Sequence, residues 1–268
     1  MLSLPVFLLP ALTLLTFAQP PARPIQRELL QVPSRQGVSQ PCLLISEGPT
    51  PKAVAIMFPG GSGIIGLGRK SLEAVFKPEG NFLIRAADRF LSPDLAVLLM
   101  DCPSDRPTGL DDGFRASEDH AADVRAVANV LRTRFPGAKL YLVGTSRGTV
   151  SAAYAAEHLG AAVDGLVLSS SVFLANQRNV GLSLFHFDRV KVPMLFVHHA
   201  EDGCPVCPYS QAMKLAGKTA LITVRGGAEP ISGPCDPLSH HGYFGRESQV
   251  AQAIRGWILG QPYEREIP

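Results

Sequence analysis

The sequence predicts an α/β protein whose mostly parallel central sheet is covered on both faces by helices. Three observations lead there. Short apolar runs bounded by Gly, Pro or Asp recur along the chain. The segments between them place apolar residues at three- and four-residue intervals, the period of a helix with one buried face. Several of the runs are unbroken, as strands buried on both faces require. With 268 residues, 46% of them hydrophobic, the chain can enclose one large core, and a single domain is expected.

Residues 2–17 read LSLPVFLLPALTLLTF, an uncharged apolar run that ends at small Ala18 before QPPARP. Its length suits a signal peptide over 1–18, followed by a Pro-rich linker over 19–26 and a domain over 27–268. Pro5 and Pro10 interrupt the run, and a stable membrane span needs about 20 apolar residues. The expectation is therefore an exported protein, periplasmic or secreted, with no membrane span once mature. Lys and Arg total 25 against 23 Asp and Glu, with no long charged run, so neither a polyphosphate nor a nucleic-acid partner is expected.

Strands are predicted at 29–32, 42–45, 54–58, 95–100, 140–143, 166–168, 194–198 and 220–224. The clearest helix runs over 117–135, with Ala121, Val124, Ala128, Leu131 and Phe135 on one face. Ser117 can cap it, Glu118 and Asp119 suit its positive end, and Pro136-Gly137 stops it. Two further helices are predicted over 147–158 and 248–259. A sheet of this kind carries its chemistry at the carboxyl ends of its strands.

At one such end stands Gly144-Thr145-Ser146-Arg147-Gly148, a GxSxG pentapeptide directly after an apolar run and directly before a helical pattern. That strand–turn–helix setting projects a serine hydroxyl away from the sheet, and the following helix points positive charge at any oxyanion formed beside it. From about Val54 onward the chain resembles the α/β-hydrolase family. The resemblance implies that family's fold and its order of serine, acid and histidine. Asp202, in the loop after the run PMLFVHH, matches the acid, with Glu201 as its nearest rival. The other position where the family can carry an acid holds Ser169, Ser170 and Ser171 and no carboxylate. His241, in His240-His241-Gly242-Tyr243, fits the family's His-Gly-aromatic pattern, whereas His240 does not. His198 and His199 are expected to end their strand and support the acid loop.

The same resemblance places an oxyanion loop at Pro59-Gly60-Gly61-Ser62-Gly63, although Pro59 stands where a histidine is frequent. The amides of Gly61 and Arg147 are the expected donors. No Gly-Lys-Ser/Thr follows the glycines, so a phosphate-binding loop is disfavoured.

The five cysteines, Cys42, Cys102, Cys204, Cys207 and Cys235, cannot all pair. A working triad would bring the loops of Cys204 and Cys235 together, so a Cys204–Cys235 disulfide is expected, with Cys207–Cys235 as the alternative. A Cys204-x-x-Cys207 redox pair or a zinc site is disfavoured, because no second CxxC exists and the ligands would compete with the base. No metal and no cofactor is expected.

Only some twenty residues separate the strand at 166–168 from that at 194–198, too few for a cap domain. The site is therefore expected to be open, bounded by loops 64–89 and 172–189. Phe173, Leu174, Leu182, Phe185 and Phe187 would offer apolar surface there or else join the core. The resemblance implies a serine hydrolase acting on a small-molecule carboxylic ester. The rival readings are a serine peptidase or amidase, and a non-catalytic binding protein on the same scaffold.

Overall fold

The structure, a computed structural model, describes residues 24–268 except Arg178 and Lys218. The signal peptide and most of the linker expected from the sequence lie outside the described residues.

Nine strands form one sheet among the described residues: β1 (Gln26–Arg35), β2 (Val38–Ser46), β3 (Ala53–Phe58), β4 (Leu95–Met100), β5 (Lys139–Thr145), β6 (Gly165–Ser169), β7 (Met194–His199), β8 (Ala220–Val224) and β9 (Glu266–Ile267). Their order is β1-β2-β4-β3-β5-β6-β7-β8-β9. β1, β2 and β4 are joined by antiparallel pairing, and every other neighbouring pair is parallel. The helices are α1 (Leu72–Val75), α2 (Phe82–Arg85), α3 (Ala87–Phe90), α4 (Asp112–Arg115), α5 (Glu118–Arg134), α6 (Gly148–Leu159), α7 (Tyr209–Ala216) and α8 (Glu247–Leu259).

All eight predicted strands and all three predicted helices are present. Ser117 caps α5 as expected, its hydroxyl accepting from the His120 amide at 3.2 Å. The sequence reading did not place β9, the four one-turn helices α1–α4, or α7. β1 is also longer than expected and opens at Gln26, inside the stretch assigned to the linker.

Two apolar layers sandwich the sheet. Val54, Ile56 and Phe58 of β3 face one way, with Val124 of α5 and Val150 of α6, while Ala53, Ala55 and Met57 face the other, with Phe90 of α3 and Ile254 of α8. β3 and β5 are entirely buried apart from Lys139, which explains their lack of polar alternation. The chain leaves β3 toward β4 on one side and later returns to β5 on the other. A crevice opens at such a switch point, beyond the carboxyl ends of the two strands.

Between β6 and β7 the described residues form turns and one short 3-10 helix, Phe187–Arg189, with no cap domain. Phe173, Leu182 and Phe185 are buried core residues; the Phe185 ring meets Tyr154 and Phe187 edge-on, and the Phe173 ring lies tilted against Phe196. Of the two alternatives the sequence leaves open for this group, Phe173, Leu182 and Phe185 take the core, and Leu174 is exposed. Among the described residues no helix is long and apolar enough to cross a membrane.

Candidate active site

Ser146 follows β5 directly and adopts φ 77°, a left-handed conformation that costs a non-glycine residue energy and is held by the structure around it. The flanking glycines are required by contact. A Cβ on Gly144 would lie 2.5 Å from the Gly148 carbonyl oxygen, and one on Gly148 would lie 1.9 Å from the Phe58 carbonyl oxygen at the end of β3. The turn is thus wedged between its own helix and the neighbouring strand. The Ser146 amide donates to the Ser169 carbonyl at 3.1 Å, which ties the turn to β6.

His241 Nε2 lies 2.9 Å from Ser146 Oγ, and His241 Nδ1 lies 2.9 Å from Asp202 Oδ2. The carboxylate accepts from Nδ1–H, which leaves Nε2 as an acceptor for the serine proton. The Asp202 side chain is wholly buried and His241 nearly so, while Ser146 is half-buried. Asp202 Oδ1 accepts from the Cys204 amide at 2.9 Å, which fixes the acid within its own loop. Glu201 is exposed and its carboxylate takes no part in the relay.

The histidine is held from both sides. The Ser170 hydroxyl donates to the His241 carbonyl at 2.7 Å and lies 2.9 Å from the Tyr243 hydroxyl, whose own proton goes to the Val197 carbonyl at 2.7 Å. Burial pushes the Tyr243 phenol well above its usual range, so it stays neutral. Ser170, which stands at the family's other acid position, therefore anchors the base. His199 Nδ1 accepts from the Glu201 amide at 3.1 Å and so supports the acid loop, as expected. His198 also ends its strand but departs from that expectation, because its side chain points to the neighbouring strand's end, where Nε2 accepts from the Ser171 amide at 2.9 Å; burial pushes this imidazole down to about 3, and it remains neutral.

Gly60 and Gly61 follow β3 beside the nucleophile. Among the described residues neither the Gly61 amide nor the Arg147 amide has a hydrogen-bond acceptor. Two buried side chains that the sequence reading missed shape this loop. Arg115, on α4, donates to the Gly61 carbonyl at 3.0 Å and to Ser151 Oγ at 2.8 Å. Its burial, with Arg147 nearby, pushes the guanidinium down to about 10, still charged at neutral pH. Asp101, at the end of β4, accepts from four amides: Ile65 at 2.7 Å, Cys102 at 2.8 Å, Gly66 at 2.9 Å and Leu67 at 2.8 Å. A strand-end aspartate is the only sequence trace of it. Arg147 pairs with Asp112 at 2.6 Å, and Asp112 also accepts from the Gly181 amide at 2.8 Å.

Cys204 and Cys235 form a disulfide with a Cα–Cα distance of 4.6 Å. Cys207 is a buried free thiol, so the alternative Cys207–Cys235 pairing is not the one formed. Two groups of side chains have metal-like spacing. In the first, Cys204, Cys207 and His241, one sulfur is in the disulfide and both imidazole nitrogens are engaged. In the second, His199, Glu201 and His240, both His199 nitrogens face backbone groups, Nδ1 the Glu201 amide and Nε2 the Gly226 carbonyl at 2.9 Å.

A mostly parallel sheet, a strained serine turn at its switch point and an Asp–His–Ser chain of hydrogen bonds together have the architecture of the α/β-hydrolase fold with a serine-type site. The profile of the family described as "Serine aminopeptidase, S33" matches residues 81–186, a stretch that contains Ser146 and stops before Asp202 and His241. Among solved structures, dienelactone hydrolase from Anabaena variabilis ATCC 29413 is similar at 17% identity and TM-score 0.61, over 88% of this chain and 98% of that one. Est1E from Butyrivibrio proteoclasticus follows at 15% and 0.58, over 87% and 98%. XC6422 from Xanthomonas campestris, described as a member of a/b serine hydrolase without lid, is 18% identical at TM-score 0.55, over 90% and 95%. At such identities the likeness establishes the α/β-hydrolase fold. No curated protein matches the sequence.

Proposed function

We propose that the protein hydrolyses carboxylic esters of small molecules through an acyl-enzyme intermediate. The observation that carries this reading is the continuous relay from buried Asp202 through His241 to Ser146, with 2.9 Å at each step. Ser146 Oγ attacks the ester carbonyl as its proton passes to His241 Nε2, and the imidazolium is stabilised by Asp202. The Gly61 and Arg147 amides, with the amino end of α6 behind them, receive the oxyanion. Collapse of the tetrahedral species breaks the acyl–oxygen bond, and His241 returns the proton to the departing alcohol. A water molecule then gives its proton to His241 and attacks the acyl-serine, which releases the acid and restores Ser146.

Two features support an ester over an amide. The open face, without a cap among the described residues, suits small substrates, and one of the similar structures is a dienelactone hydrolase. The family profile that matches residues 81–186 has a peptidase name and sustains the second reading, a serine peptidase or amidase. We place the protein outside the cytoplasm, as periplasmic or secreted. The apolar run of residues 2–17 supports this, and so does the Cys204–Cys235 disulfide, a bond favoured in oxidising compartments. The catalytic domain then corresponds to residues 27–268.

A fluorophosphonate probe tests the nucleophile. Labelling is expected on Ser146 in the wild type and absent in Ser146→Ala; an unlabelled wild type would leave a binding protein on this scaffold. Turnover of p-nitrophenyl acyl esters against aminoacyl p-nitroanilides separates the two enzyme readings. Faster cleavage of the anilides overturns the esterase.

A further inference from the structure

Asn81 stands at the wall of the catalytic cleft with its side-chain amide fixed in one orientation. Its Oδ1 accepts from the Leu83 amide at 3.1 Å and caps α2, which turns Nδ2 the other way, toward Gly60 and the nucleophile. A methyl group placed on Gly60 would sit 2.8 Å from Ser146 Cβ and 3.0 Å from Asn81 Nδ2, so one small group suffices to bridge the two side chains. Among the described residues Nδ2 has no hydrogen-bond partner, and an amide donor left free in a half-buried position favours a ligand acceptor.

The segment that carries Asn81 is stitched to the histidine loop. Arg85, almost wholly buried, donates to the Gly80 carbonyl at 2.8 Å, to the Pro237 carbonyl at 3.0 Å and to the Gly242 carbonyl at 2.7 Å, and it pairs with Glu247 at 3.0 Å. Asn81 and His241 are therefore parts of one braced unit, and the donor is in place before substrate arrives.

The cavity these residues enclose with Ser146 is about 170 Å³, bounded by Gly60, Phe82 and Pro237. Drug-sized ligands occupy about 300 Å³ or more, so this space takes a short group. Asp236 also borders it, with Oδ2 accepting only from the Gly233 amide at 3.1 Å. A carboxylate there repels an acidic substrate group and tolerates a neutral one.

We propose that Asn81 is a specificity-determining residue whose Nδ2–H donates to an uncharged oxygen, a hydroxyl, ether or keto group, carried one or two atoms from the scissile carbonyl on a short acyl chain. The proposal rests on the ester-hydrolase reading and names the substrate class of that site.

The test compares two acyl groups of equal length, p-nitrophenyl methoxyacetate and p-nitrophenyl butanoate, on wild type and Asn81→Ser. Serine retains a capping oxygen for α2 but withdraws the donor from the cavity. The expected result is a fall of about tenfold in kcat/KM for the methoxyacetate, with the butanoate changed by less than about twofold. Comparison of variant with wild type on each ester cancels the difference in intrinsic reactivity. An equal fall on both esters would mark a role in the reaction common to all substrates and overturn the proposal, as would no change on either. Should Asn81→Ser fold poorly, Asn81→Thr likewise keeps a capping oxygen, withdraws the donor from the cavity without adding charge, and is expected to show the same selective loss. A wild type that cleaves neither ester overturns the esterase reading itself, which the fluorophosphonate label reports separately.

Discussion

The Cys204–Cys235 disulfide joins the loop of the acid to the loop of the base, and its removal has a calculable effect. The two cysteines are 31 residues apart. Opening a loop of that length returns to the unfolded chain an entropy worth about 3.7 kcal/mol at 25 °C. The perturbation should be the double variant Cys204→Ala/Cys235→Ala. A single Cys235→Ala would leave Cys204 Sγ within 4.8 Å of the free Cys207 thiol, a pair that air could oxidise. Urea unfolding of the oxidised wild type and the double variant, read by fluorescence and far-UV circular dichroism, should differ by roughly 3 to 4 kcal/mol. Ester turnover should fall as well, since the Cys204 amide holds Asp202 Oδ1 at 2.9 Å and Cys235 leads into the His241 loop. Thiol titration in denaturant gives the companion check: three thiols without reductant and five with it. A stability difference under about 1 kcal/mol, or five thiols without reductant, would refute the reasoning.

His120 and His198 are both buried, and burial pushes each imidazole down to about 3. In the unfolded chain they titrate near 6.5, so between those values the unfolded state binds more protons and stability falls as the pH is lowered. From pH 7 to pH 5 the loss should be on the order of 2 kcal/mol for each histidine, measured by urea unfolding, and His198→Asn should flatten the dependence. Asp101→Ala leaves four buried amides without their acceptor and should cost roughly 3 to 5 kcal/mol, with a loss of turnover through the displaced oxyanion loop. An unchanged melting temperature would contradict the role given to this carboxylate. Ser146→Gly relieves the φ of 77° and should be about 1 kcal/mol more stable than Ser146→Ala, which keeps the Cβ; calorimetry of the two inactive variants decides it.

Much of this molecule was legible before folding because its strongest signals are local. An apolar run such as 54–58 is a buried strand wherever it lies, and Ser117 caps α5 from four residues away at most. The pentapeptide around Ser146 is legible in part for the same reason, since Gly144 answers to a clash within its own turn, although Gly148 answers to the Phe58 carbonyl of the distant strand β3. Asp202 and His241 were found through a family order that rides on those strands. The partner of Cys235, the turn of Phe173 and Phe185 into the core, and the pairing of β9 onto the edge of β8 were settled by neighbours far away in sequence. So were the supporting contacts: Asp101 on the amides after β3, Arg115 on Gly61, Ser170 behind His241, and Asn81 across from Ser146. Such residues carry no period and no turn signature. A buried polar side chain owes its place to whichever donor or acceptor the folded chain brings within about 3 Å, and that distance exists only once the sheet has assembled.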